Sequence, residues 1–151
     1  LEETGLPARQ LQLEVPEGHV VSDLPRSLDM LHRLKALGVL LVLDRFAVRY
    51  SSLGRLAELP LDGVKLDLAF LRGPSSNPED VSLLTAVTAV ARGLKLRICA
   101  QGVETAAQLA LLERLGCAEA QGFHLGPPVP PATLAEHLGT RAAKPGAAEG
   151  R

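Results

Sequence analysis

The sequence predicts an α/β protein built on a parallel sheet. Apolar runs and amphipathic segments alternate about five times along 151 residues, and short connections join them. Each apolar run also gives way to polar residues. Alternation of this kind means a parallel sheet covered by helices. An open doubly wound sheet and part of an eight-stranded barrel both satisfy it. No glycine-rich phosphate fingerprint follows the first strand, which weakens a dinucleotide-binding reading. Five units cannot close an eight-stranded barrel.

Leu11-Gln12-Leu13-Glu14-Val15 alternates and meets Pro16, predicting a short strand that ends in a loop, with Glu14 and Glu17 at its end. Leu28, Leu31, Leu34 and Leu37 then recur at threefold spacing between Ser27 and Gly38. This predicts an amphipathic helix stopped by Gly38. Val39 to Leu43 is a near-continuous apolar run, as in a strand buried on both faces. It ends abruptly at Asp44-Arg45, and a loop and a short helix over 52–58 should follow before Pro60.

Val64-Lys65-Leu66-Asp67-Leu68 predicts a third strand, and 73–78 is rich in turn formers. Asn77-Pro78-Glu79-Asp80 has the form of a helix start: a capping side chain, a proline in the first turn and acids behind it. That helix should run to about Arg92, burying Leu83, Leu84, Val87, Val90 and Ala91, with Gly93 ending it. Leu96 to Ala100 is a fourth strand leading into Gln101-Gly102-Val103-Glu104. Thr105 and Gln108 form a capping-box pattern ahead of a helix through Leu109, Leu112 and Leu115, closed by Gly116. Glu119 to Phe123 is a weaker fifth strand, and Pro130-Pro131 opens a last helix to about Leu138. Residues 1–138 are read as the domain and 139–151 as a disordered tail of Ala, Gly, Lys and Pro.

The balance of 16 basic against 17 acidic residues gives no electrostatic reason to expect nucleic acid or an anionic membrane, though a small anion needs only a local site. No apolar run approaches the ~20 residues of a membrane span, and no signal peptide opens the chain. The expectation is a cytoplasmic protein, with Cys99 and Cys117 as buried thiols rather than metal ligands. His19, His32, His124 and His137 lack ligand spacing and read as surface or structural, although His124 follows Gln121-Gly122 closely. The first residue is Leu1, so the chain is either a piece of something longer or has an unusual start.

Five successive strand ends carry polar groups: Glu14; Asp44 with Arg45; Lys65 with Asp67; Gln101 with Glu104; and Gln121. In a barrel they would converge on one mouth, where chemistry is found. Carboxylates there suit hard cations, and a lysine among them suits a phosphate or a developing oxyanion.

These residues resemble a family. Leu13-Glu14-Val15-Pro16-Glu17, Leu43-Asp44-Arg45-Phe46 with Tyr50-Ser51-Ser52-Leu53, Val64-Lys65-Leu66-Asp67, Ala100-Gln101-Gly102-Val103-Glu104-Thr105, and Leu115-Gly116-Cys117 with Ala120-Gln121-Gly122 are similar in order and spacing to the C-terminal part of an EAL domain, the bacterial phosphodiesterase domain that linearises cyclic di-GMP. The resemblance implies a partial TIM-like (β/α) barrel of about five βα units, N-terminally truncated, around a divalent metal centre. It makes Glu14 and Asp44 metal ligands and Glu17 the brace of the loop after the central strand. Lys65 becomes the group that positions phosphate and attacking water. Asp67, Glu104 and Gln121 support the site.

The departures bear on activity. Arg45 stands where the family carries a second ligand aspartate, and a guanidinium repels a cation rather than binding it. Gln101 stands where a carboxylate is expected, and an amide offers no base near neutral pH. The family's Gly-Thr-Gly is Ala47-Val48-Arg49, and the Glu-Ala-Leu signature strand and the asparagine ligand after it do not occur. A two-metal hydrolase needs both cations, and groups that act as a unit fail together. The expected function is therefore a catalytically inactive domain that binds a nucleotide or engages a protein, with Arg45 and Arg49 facing the phosphates or, alternatively, Arg45 pairing with Asp44, Glu14 or Glu17 and filling the metal site. The alternative is a metal-dependent phosphodiesterase giving linear pGpG, with residual activity or activity only in a longer chain. No cofactor is expected, or Mg²⁺ or Mn²⁺ if the site functions. Expected partners are cyclic di-GMP, a GGDEF or other signalling domain, or a second copy covering exposed sheet edges.

Overall fold

The computed structural model describes residues 1, 3–46, 56–68, 77–134 and 136. Within them five strands form one parallel sheet: β1 (Gln12–Pro16), β2 (Leu40–Phe46), β3 (Gly63–Asp67), β4 (Arg97–Gln101) and β5 (Glu119–Gln121). Spatial order equals chain order, with no switch point. That decides between the two architectures the alternation allowed. Right-handed crossovers between sequential parallel neighbours put every helix on the same face, as in the wall of a barrel, whereas a doubly wound sheet reverses direction.

Among the described residues the helices include α1 (Glu17–Ser22), α2 (Leu24–Ala36), α3 (Pro78–Gly93) and α4 (Ala106–Arg114), and residues 131–134, at the start of the expected last helix, are also helical. In α3 the Asn77 side chain accepts from the Glu79 amide, and α4 carries both halves of the Thr105/Gln108 capping box. Gly38, with φ of +83°, stops α2 as its position predicts. Other boundaries move for local reasons. α2 starts at Leu24, because the Asp23 side chain caps the Arg26 amide and a proline occupies the first turn. The segment after Pro16 is the short helix α1, not a loop, with Glu17 in its first turn. α3 buries Leu84, Val87 and Ala91 as expected, but Leu83 is exposed, Val90 is only partly buried and Thr88 is buried beside them. β5 stops at Gln121. Both cysteines are free and half-buried, and burial pushes their thiols above the ordinary value. Most of the helix expected over 52–58, the turn at 73–76, Arg49, His137 and the tail lie outside the described residues.

Strand alternation divides the sheet into two faces. Leu41, Leu43, Val64, Leu66, Ile98 and Ala100 enter the hydrophobic core beneath the helices. Glu14, Asp44, Lys65, Asp67, Gln101 and Gln121 fall on the alternate positions. β2 breaks this rhythm once. Leu43 pairs with Val64 but Phe46 pairs with Leu66, so β2 holds one extra residue at a bulge. The extra residue returns Phe46 to the core, where it is fully buried, and turns Arg45 outward with a left-handed φ of +55°. The strand therefore does not end at Asp44; it continues to Phe46 through the bulge.

Candidate functional site at the sheet's C-terminal edge

Parallel pairing sets the heights of the polar groups. Asp67 lies beside Gln101 and Gln101 beside Gln121, forming one row at the strand ends. Lys65 lies beside Cys99, one pleat deeper. Glu14 lies beside Val42, in the middle of β1 rather than at its end. Lys65 and Glu14 nevertheless meet: Lys65 Nζ donates to both Glu14 carboxylate oxygens at 2.9 Å. The Lys65 side chain is only 10% exposed, so a carboxylate partner offsets the cost of burying its charge.

Asp44 is held by nitrogen donors as well. Gln101 Nε2 donates to one of its oxygens at 3.1 Å, and Arg45 Nε lies 3.5 Å from the other. The Arg45 side chain is 68% exposed, so this contact is a loose surface pair. Glu17 follows β1 directly, at the start of α1. The loop it was expected to brace begins at residue 47, outside the described residues.

The β4 and β5 ends are fixed through backbone. Gly102 and Val103 amides donate to the Gln121 carbonyl at 2.8 and 3.1 Å, and the His124 amide donates to the Val103 carbonyl at 3.0 Å. Gln108 Oε1 accepts from the Glu104 and Thr105 amides at 2.7 and 3.0 Å, so the residue that caps α4 also orders the Glu104 backbone. Gly122 is required by space, since a Cβ there would overlap the Val103 backbone.

Between these groups lies a cavity of about 760 Å³, within the range of small-molecule sites. Asp44, Arg45, Asp67, Gln101, Glu104 and Gln121 line its polar side, and Phe123, Pro127, Pro128 and Leu134 form an apolar wall. Six of the nine predicted site residues thus share one cavity. Glu14 and Lys65 are paired below it. The apolar wall was missed by reasoning that followed charges; the signal was Phe123, an aromatic directly after Gln121-Gly122 in a chain with only three phenylalanines.

Among the described residues no group of three or more His, Cys, Asp or Glu side chains is arranged to hold a metal ion. The two carboxylates that the resemblance assigns to metal are each engaged by nitrogen donors, and a fixed cation sits beside Asp44. That cation is a guanidinium, which cannot itself ligate a metal.

A sequential parallel sheet with convergent polar groups and a cavity at its C-terminal edge defines a barrel-type α/β protein with its site at the mouth. The EAL domain profile matches residues 1–128. The chain belongs to the EAL domain family, which includes cyclic di-GMP phosphodiesterases. It is 40% identical over 138 residues to the cyclic di-GMP phosphodiesterase NbdA of Pseudomonas aeruginosa, covering 91% of this chain and 18% of that one. Among solved structures, the PaMucR phosphodiesterase in complex with c-di-GMP superposes with a TM-score of 0.83 at 40% identity, covering 89% of this chain and 54% of the other. The manganese and cyclic di-GMP complex of Klebsiella pneumoniae BlrP1 gives a TM-score of 0.75 at 28% identity, over 82% and 31% respectively. The chain therefore spans under a fifth of the length of NbdA and about half of the PaMucR chain. Among the described residues no helix is long and apolar enough to cross a membrane.

Proposed function

We propose that this chain binds cyclic di-GMP without hydrolysing it. The observation that carries this reading is the engagement of Glu14 by Lys65 and of Asp44 by Gln101 and Arg45. Side-chain nitrogens stand where a hydrolase of this family would need cations. Lys65 serves here as the internal counter-ion of Glu14, and Gln101 keeps the shape of a carboxylate without its basicity. Arg45, turned outward by the bulge, presents its guanidinium to the cavity, where its planar fork suits a phosphodiester. Similarity to NbdA and PaMucR supports the choice of ligand.

The second reading is a metal-dependent phosphodiesterase completed by a longer chain. Glu14, Asp44, Lys65, Glu104 and Gln121 favour it, being present at the family positions.

Calorimetric titration with cyclic di-GMP, with and without Mg²⁺, separates the two. The binding reading predicts a saturating heat independent of Mg²⁺, weakened roughly tenfold by Arg45→Ala, as expected for loss of a charged hydrogen bond. Sustained heat that requires Mg²⁺ would support the enzyme, and a folded chain giving no heat would defeat the binding reading.

A further inference from the structure

We propose that Arg97 is a positioning residue for the Glu14–Lys65 pair, acting on it through Gln12 from the N-terminal edge of the sheet. Gln12, Arg97 and Glu119 are the first residues of β1, β4 and β5, at the end away from the cavity. Their side chains meet across the face that lies opposite the core. The Arg97 guanidinium lies 3.8 Å from a Glu119 oxygen and donates to Gln12 Oε1 at 3.4 Å. Gln12 Nε2 in turn donates to Glu14 Oε1 at 3.4 Å, the same oxygen that Lys65 Nζ reaches at 2.9 Å. A continuous polar relay therefore runs from Glu119 to Lys65 and joins four of the five strands.

Two features make this relay specific. β1 and β4 are separated by β2 and β3, a gap of about 14 Å in a flat sheet. Arg97 spans it because the sheet curls and because Gly63, its partner on β3, has no side chain to stand in the way. A Cβ at Gly63 would lie 3.3 Å from that of Arg97 and 2.9 Å from its carbonyl oxygen. The second feature is polarity. A guanidinium only donates and an ionised carboxylate only accepts, so one orientation of the amide between them satisfies both. Gln12 turns its oxygen to Arg97 and its nitrogen to Glu14. Arg97 thus decides which end of Gln12 faces Glu14, and the carboxylate is held over the buried Lys65 ammonium by donors from two directions. The relay shares the Glu14–Lys65 pair with the binding reading, but its test uses no nucleotide, so either can fail without the other.

The test reads proton exchange at the Lys65 side-chain ammonium by NMR of nitrogen-labelled protein, the signal being assigned by its loss in Lys65→Met. Wild type should exchange far more slowly there than at the exposed Lys95. Arg97→Met and Gln12→Leu should each speed exchange by roughly two- to fivefold, the size of a half-exposed polar contact. Arg97→Lys, which keeps a cation and a donor, should recover part of the difference. In a Gln12→Leu background Arg97→Met should add nothing, because its path to Glu14 is already cut. The Lys35 ammonium, held by Asp62 at 2.7 and 2.8 Å outside the relay, and the Leu66 amide of β3 should exchange as in wild type throughout. Unchanged exchange at Lys65 in both single variants would overturn the proposal, as would a wild-type Lys65 as fast as Lys95. Additive effects in the double variant would show that Arg97 acts by its charge and not through Gln12. Faster exchange at Lys35 and Leu66 as well would reduce the effect to general loosening, and either result defeats the positioning role.

Discussion

The two ends of the site are held by different physics. At β4 and β5 the polar residues ride on backbone held mainly by other backbone, Gln121 to Gly102 and Val103 and His124 to Val103, with the Gln108 side chain accepting from the Glu104 and Thr105 amides. At β1 to β3 the groups are tied to one another by charge, Lys65 to Glu14 and Arg45 to Asp44, beside a bulge with a residue at positive φ. The first arrangement tolerates changes of side-chain chemistry, because the frame does not depend on it. The second is sensitive at its buried member, because the Lys65 charge there is also part of the support. At Gln101 the side chain reaches Asp44 while the backbone keeps β4 in register with β3.

Substitutions can break this contrast, and the largest effect belongs to the backbone-held end. Gly122→Ala forces a methyl into the Val103 backbone and should cost about 3 kcal/mol, the upper part of the range for overpacking, read as a lowered urea midpoint. A midpoint unchanged from wild type would show that the β4–β5 end is not rigid. Lys65→Met leaves Glu14 without its cation. Because Glu14 is 41% exposed and can turn to water, the loss should be nearer about 1 kcal/mol than the several expected for a fully buried pair. Equal losses for the two variants would erase the distinction. The smallest effect should be a gain. Arg45→Asn places at a left-handed position a residue that tolerates it and should stabilise by roughly 0.5 kcal/mol. A loss instead would mean that the exposed pair with Asp44 outweighs the backbone strain.

The legibility of the sequence follows the same division. The strands, the order of the helices and the Asn77 and Thr105 caps could be read directly, since each depends on residues adjacent in the chain. The polar row at the mouth was also legible, because parallel strands deliver their ends to one edge. What escaped depends on spacing between strands. Nothing local says that β2 carries an extra residue; the clue is that Leu41, Leu43 and Phe46 cannot share one face under strict alternation. Glu14 sits two residues short of the strand end only once its partner is known to be Val42. The helix after Pro16 was hidden because Pro16 reads as a terminator, although a proline immediately before an acidic residue also suits a helix start. Phe123 was passed over as part of a strand that in fact stops at Gln121.

Under the proposed function, nitrogen donors of the chain itself engage the carboxylates that hydrolysis would need. The most direct test of that reading is chromatographic: the chain is incubated with excess cyclic di-GMP and saturating Mg²⁺ or Mn²⁺, and the linear dinucleotide is quantified over time. The binding reading predicts no product beyond a control without protein. Linear product accumulating past one equivalent per chain, and disappearing with Lys65→Met, would contradict it and make Lys65 a working member of a catalytic site.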